Sequence, residues 1–298
     1  MPDVINTTEH KLLLREEYET AKKKYGPAPS MMELCRNKQC IFYFGANHSR
    51  DIKNSQYDQL RGFWLKFLET TGATTDNLRK DSCIVLVEGS TRKLYDSEEE
   101  AITNGSEGNF ITLLSHKAGI QCICPDITLD EFSRFQADFK AEELLLHRFL
   151  LWVNGYQKYA DPKPDFVIEF NEWATRQTKK KSLDIEMAKL GQSLSLGIIK
   201  KLYKNVIGRD FSELESQNDY TNPNKNLTII NKIASDFSDL RDKKIVGEIE
   251  RYWKDDKSIF IVFGQGHLIM QEPALRLITA MSDNINPTRS PGVHDRFQ

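Results

Sequence analysis

The sequence predicts an α/β protein, built on a mainly parallel sheet with helices on both faces and a helical insertion. Three observations carry that prediction. Apolar runs at 40–44 ("CIFYF"), 83–89 ("CIVLVEG") and 258–264 ("SIFIVFG") read as strands buried on both faces. Stretches with apolar residues at helical spacing lie between them. The order strand, helix, strand, helix, strand over 40–126 is that of a parallel sheet.

The elements follow in chain order. Residues 8–25 form a charged amphipathic helix closed by Gly26 or Pro27. "PAPSMMELCRNKQ" reads as a loop, and the first strand follows it. Leu60, Phe63, Trp64, Phe67 and Leu68 give 56–71 the stripe of a helix packed on a core. After the second strand, "SEEEAITNG" is a short helix and 107–119 another, ending at Gly119. "IQCICPD", 120–126, is a third strand stopped by Pro125. Residues 129–160 and 228–255 read as helical, 167–207 as helical in pieces, and 216–228 as a polar loop. The last strand leads into a closing helix, and the tail is loosely packed. The organisation is thus an N-terminal helical segment (1–39), an α/β domain (40–280) with its helical insertion at about 130–257, and a tail (281–298).

Composition narrows the function classes. With 41 basic and 43 acidic residues the net charge is −2, which gives no global attraction to nucleic acid or acidic lipid. No run of eighteen apolar residues occurs, so no membrane span is expected. The N-terminus has no apolar signal core, and the five cysteines are odd in number. Free, reduced thiols in a cytoplasmic protein are the expectation.

In parallel α/β sheets ligands bind at the carboxyl ends of the strands. Here those ends read Gly45-Ala46-Asn47-His48, Glu88-Gly89, Pro125-Asp126 and Gly264-Gln265-Gly266-His267. Taken singly, each has a plain structural explanation: a hydrogen-bonded loop histidine, a capping Glu88, an Asp126 at a turn. Taken together, four strand ends of one sheet carry His, Glu, Asp and His. Imidazole and carboxylate are the usual ligands of Zn, Mn, Fe or Co, and a bound metal makes a nucleophile of its water. Without metal the same groups serve as general base and acid. The metal-ligand candidates are His48, Glu88, Asp126 and His267. Asn47 and Arg50 flank the first histidine and are assigned to substrate, as is Arg92, which alternatively pairs with Glu88. "GQGH" also opens a helix, where backbone N–H groups could hold a phosphate, although the full glycine fingerprint is absent. Cys122 and Cys124 share a strand face and read as buried thiols, and no Gly-x-Ser-x-Gly occurs.

"FGANH", "LVEGSTR" and "VFGQGH" resemble the superfamily that joins TraB-like proteins, Tiki proteases, erythromycin esterases and ChaN-like proteins. Its members carry an early Gly-x-x-His, a Glu after the second strand, often an Arg four residues on, and a late Gly-x-x-His. These map to His48, Glu88, Arg92 and His267. Glu107 and Asp126 match a Gly-Glu and a Pro-Glu of some bacterial members, with Ser106 for Gly and Asp for Glu. The resemblance covers roughly 40–127 and 258–280. It implies an α/β fold and a His/Glu site with His48, Glu88, His267 and Glu107 as catalytic candidates. Tiki proteases imply metal-dependent peptide cleavage, erythromycin esterases ester hydrolysis with a histidine base, and ChaN-like proteins iron or haem handling. Two departures stand out: Tiki proteins are membrane-anchored, and erythromycin esterases usually have Glu where this chain has Ala46.

The expectation is therefore a hydrolase of an ester or amide bond in a small-molecule or peptide substrate, assisted by a divalent ion (Mn, Zn, Co or Fe). The alternatives are a metal- or haem-binding protein without turnover and a phosphate-ligand binding module.

Overall fold

The computed structural model describes residues 11–73, 78–89, 92–157, 163–179 and 194–281. The expectations for the tail and for residues 1–10 fall outside these. The fold is α/β, with a five-stranded mixed sheet and ten α-helices among the described residues. Chain contacts divide it into one unit of 1–126 with 242–298 and another of 127–241.

In the first unit the strands are β1 (Ser30–Arg36), β2 (Gln39–Ala46), β3 (Cys83–Val87), β4 (Cys122–Ile123) and β5 (Ser258–Gly264), in the order β1-β2-β5-β3-β4. β2, β5, β3 and β4 run parallel, and β1 is an antiparallel edge on β2. β5, the last in sequence, lies between the first two parallel strands. The chain end is thereby folded into the middle of the sheet, and the ends of β2, β5 and β3 become neighbours.

Alternate side chains of the strands feed two separate cores, as the period of two requires. Phe42, Phe44, Val85, Phe260 and Val262 pack with residues of α2 (Gln56–Thr71) and α3 (Glu98–Ala118). Ile41, Tyr43, Leu86, Ile261 and Phe263 pack with α9 (Ile229–Lys254) and α10 (Gln265–Met281). The first core is aromatic, with Phe42, Phe63, Trp64, Phe67 and Phe260 at ring separations of 5.0 to 5.6 Å.

Residues 30–36 are strand, where the sequence reading had a loop. Met32 is buried and its neighbours Met31 and Glu33 are exposed, so this edge strand lacks the continuous apolar run of the others. Asn37, at φ 55°, helps to make the tight turn into β2. That hairpin corrects the expectation of five free thiols. Cys35 and Cys40 are register partners with Cα atoms 4.2 Å apart, the close spacing of a non-hydrogen-bonded pair, and they form a disulfide. Cys83, Cys122 and Cys124 are free.

The two helices read at 98–119 are one element, α3, broken at Ser106 (φ 57°, ψ −160°). α1 (Tyr18–Tyr25) is shorter than the helix expected at 8–25, and the third strand is only the two residues of β4.

The described elements of the second unit are helical: α4 (Leu129–Gln136), α5 (Ala141–Tyr156), α6 (Phe166–Lys179), α7 (Leu196–Ile207), α8 (Asn218–Thr221) and the first half of α9. It has its own core, centred on Leu146, Phe149, Val153, Phe170, Ile199, Tyr203 and Ile230. Among the described residues no helix is long and apolar enough to cross a membrane.

Candidate active site

The site stands where β2, β5 and β3 end. His48 lies two residues past β2, Glu88 immediately past β3, and His267 in the first turn of α10, which follows β5 directly. Because β5 sits between β2 and β3, the three side chains meet. His48 Nε2 is 3.4 Å from Glu88 Oε2, and His267 Nε2 is 3.6 Å from Glu88 Oε1. The two carboxylate oxygens therefore each face one imidazole.

The other ring nitrogen of each histidine is held by a buried carboxylate. His48 Nδ1 bonds Glu107, and His267 Nδ1–H donates to Asp242 Oδ1 at 2.7 Å. Glu107 is 3% exposed and Asp242 fully buried. Such a carboxylate fixes the ring's orientation and leaves Nε2 to do chemistry.

Local backbone geometry explains how these groups are aimed. The break at Ser106 lies next to Glu107, at the residue where α3 departs from helical geometry. A non-glycine residue in that region costs about 1–3 kcal/mol. Gly264 is required at the end of β5, because a Cβ there would sit 2.9 Å from His48 Nε2 and 3.5 Å from Glu88 Oε2. Its N–H donates to Glu88 Oε2 at 2.9 Å. Glu88 thus faces the N-terminus of α10, and one of the backbone donors suggested for a phosphate bonds a carboxylate of the chain itself.

Arg92 does not aim at the Glu88 carboxylate in these contacts. It donates to the backbone carbonyl of Glu88 and, at 3.1 Å, to Asn109 Oδ1. A Cβ at Gly108 would come within 2.7 Å of its guanidinium. Arg92 therefore positions the loop that carries Glu88. Asn47 is exposed, and its backbone N–H and C=O are both clamped by the Gln56 side-chain amide, at 3.1 and 2.9 Å. Arg50 is exposed near His48 in sequence, and its charge acts on the Tyr57 hydroxyl. Asp126, the fourth candidate ligand, is half-buried just past β4, where its charge acts on the Cys124 thiol.

Sequence reading missed Asp242, Gln271 and Tyr43. Gln271 Nε2–H donates to Asp242 Oδ1 at 2.7 Å, and the Tyr43 hydroxyl donates to Gln271 Oε1 at 3.1 Å. A signal for Asp242 existed. It lies three residues before Ile245 and seven before Ile249, both fully buried, so a carboxylate occupies the apolar stripe of α9.

The electrostatics of the two imidazoles differ. The hydrogen bond that His48 donates to Glu107 is the main cause raising His48 above its usual 6.5, burial opposes it, and the charges of Glu107 and Glu88 add to it. Burial works against charge on His267, but Asp242 and Glu88 together outweigh it and lift the ring to about 9. The His267 side chain is only 12% exposed and that of His48 is 56% exposed. The site thus holds one solvent-reachable imidazole and one enclosed imidazolium about a common carboxylate.

A divalent ion at this site needs at least three converging donors. Among the described residues no group of three His, Cys, Asp or Glu side chains is arranged to hold one.

Comparison with family models, with curated proteins and with solved structures finds no match for this chain.

Proposed function

We propose that the protein hydrolyses an ester or amide bond in a small-molecule or peptide substrate, with His48 as general base and His267 as general acid. One observation carries this reading: both Nε2 atoms face Glu88, while both Nδ1 atoms are tied to buried carboxylates. A neutral His48, whose side chain is half exposed, takes a proton from water at Nε2. Glu107 stabilises the imidazolium that forms. His267, already protonated near neutral pH, stabilises charge developing on the carbonyl oxygen or gives its proton to the leaving group. Glu88, fixed by the Gly264 N–H, keeps the two rings apart and in register. General acid and base each contribute roughly 10²–10⁴ in rate.

Arg50, exposed beside His48 in sequence, and Asn47 remain the substrate-binding residues of this reading, and Arg92 supports it from behind. The helices on both faces of the sheet and the helical insertion belong to the same proposal. So does a cytoplasmic location, although the Cys35–Cys40 bond points the other way, since reducing compartments disfavour disulfides.

The expected divalent ion at His48, Glu88, Asp126 and His267 enters no step here. The carboxylate behind each imidazole favours such an ion, while among the described residues no three such side chains are already arranged around one. Metal analysis and turnover before and after dialysis against a chelator decide between the two forms.

The test is turnover of a panel of nitrophenyl esters and of a peptide library by the wild type, His48→Ala and His267→Gln, with folding followed by circular dichroism. The proposal expects a substrate whose turnover falls roughly 10²-fold or more in each folded variant. Turnover that both folded variants retain would overturn it.

A further inference from the structure

A second candidate site lies within the helical unit and is independent of the hydrolytic reading. α4, α5, α6 and the first half of α9 enclose a groove of about 380 Å³, within the size range of small-molecule pockets. Its walls are aromatic. Phe132, Phe135 and Phe237 contact one another at ring separations of 5.4 to 6.4 Å, and Trp173 lines the same groove.

Three polar groups in this groove are not accounted for by the fold. Arg148 lies with its guanidinium 5.6 Å from the Phe132 ring centre and makes no ion pair with an acidic side chain among the described residues. Gln136 is 5% exposed, and its buried Nε2 has no hydrogen-bond partner among the described residues. His147 is neighbour to Arg148, and burial, with that neighbouring charge second, drives its pKa down to about 4. A buried donor left unpaired costs about 1–3 kcal/mol, and a desolvated cation costs more. Aromatic walls with unpaired donors and an uncompensated positive charge suit an apolar ring that ends in an anion.

We propose that this groove binds a small aromatic carboxylic acid, with its ring among Phe132, Phe135, Phe237 and Trp173 and its carboxylate on Arg148 and the Gln136 amide. Arg148 supplies the charge, Gln136 an oriented N–H, and His147, uncharged near neutral pH, a further polar contact that does not repel the guanidinium.

The experiment is calorimetric titration of the full chain with 3-phenylpropionate and with 3-phenylpropionamide, which keeps the ring and loses the charge. The acid is expected to bind at least tenfold more tightly than the amide. Arg148→Met, which retains the apolar stem, should abolish that preference, and Arg148→Lys should retain part of it. The comparison of acid with amide on the wild type stands even if Arg148→Met fails to fold. Equal binding of the two probes, no binding of the acid, or an undiminished preference in folded Arg148→Met would overturn the proposal.

Discussion

The two strand ends of this chain share the Gly-x-x-His pattern and are opposite in setting. After β2 the backbone continues into a loop, and His48 stands largely in solvent. After β5 it turns at once into α10, and His267 is enclosed against Phe263, whose ring packs edge-on at 5.8 Å. Each ring has its own buried carboxylate, and both share Glu88. The same four-residue pattern therefore yields one accessible imidazole and one enclosed imidazole. The motif alone does not assign the role; the element that follows it does.

Four substitutions or measurements break or sharpen that contrast. The largest effect is expected from Gly264→Ala. Its methyl group would press between His48 and Glu88, and turnover should fall by roughly 10²-fold while the circular dichroism spectrum is kept. An unchanged rate would mean that the two ends do not work as one site.

Asp242→Asn removes the partner that keeps His267 charged. A histidine raised from 6.5 to about 9 contributes stability that is fully present below pH 6.5 and is lost as pH rises through 9. By that linkage the variant should be less stable than the wild type in urea unfolding at pH 6, with the deficit shrinking towards pH 10. A pH-independent deficit would assign Asp242 to packing alone.

The pH profile should be bell-shaped. A base must be deprotonated, so activity rises with pH through the raised value of His48, above 6.5. An acid must be protonated, so activity falls through about 9. Each limb changes the rate about tenfold per pH unit. Loss of the alkaline limb in His267→Gln would confirm its assignment, and loss of the acid limb instead would exchange the two roles.

The smallest effect is at Ser106. Glycine adopts φ 57°, ψ −160° without the steric cost, so Ser106→Gly should stabilise the fold by about 1 kcal/mol and leave turnover unchanged. A destabilised variant would show that the Ser106 side chain, rather than the backbone kink, matters for Glu107.

Much of the parallel sheet was legible in the sequence. β3 and β5 are continuous apolar runs, and their ends announced Glu88 and His267. The meeting of His48, Glu88 and His267 followed from the general rule about strand ends, since it needed only the order β2-β5-β3. Other features could not be read the same way. The sequence of β1, SMMELCR, does not alternate apolar with polar residues, so it resembled a loop, and with it went the Cys35–Cys40 pairing that its register creates. Asp242 lies 25 residues from His267 in a stretch read only as helical, and tertiary packing brings it to the ring. Arg92 was assigned to substrate, or alternatively to pairing with Glu88, because a guanidinium suits a carboxylate, yet it holds the Glu88 backbone carbonyl. Sequence identified the groups that carry charge, and the fold determined which atoms they bond.

The central claim is that one carboxylate serves both imidazoles. Side-chain nitrogen and carbon NMR titration of His48 and His267, in the wild type and in Glu88→Gln, tests it directly. Glu88 raises both rings, so neutralising it should lower both pKa values together. A shift in only one of them, or in neither, would contradict the shared site.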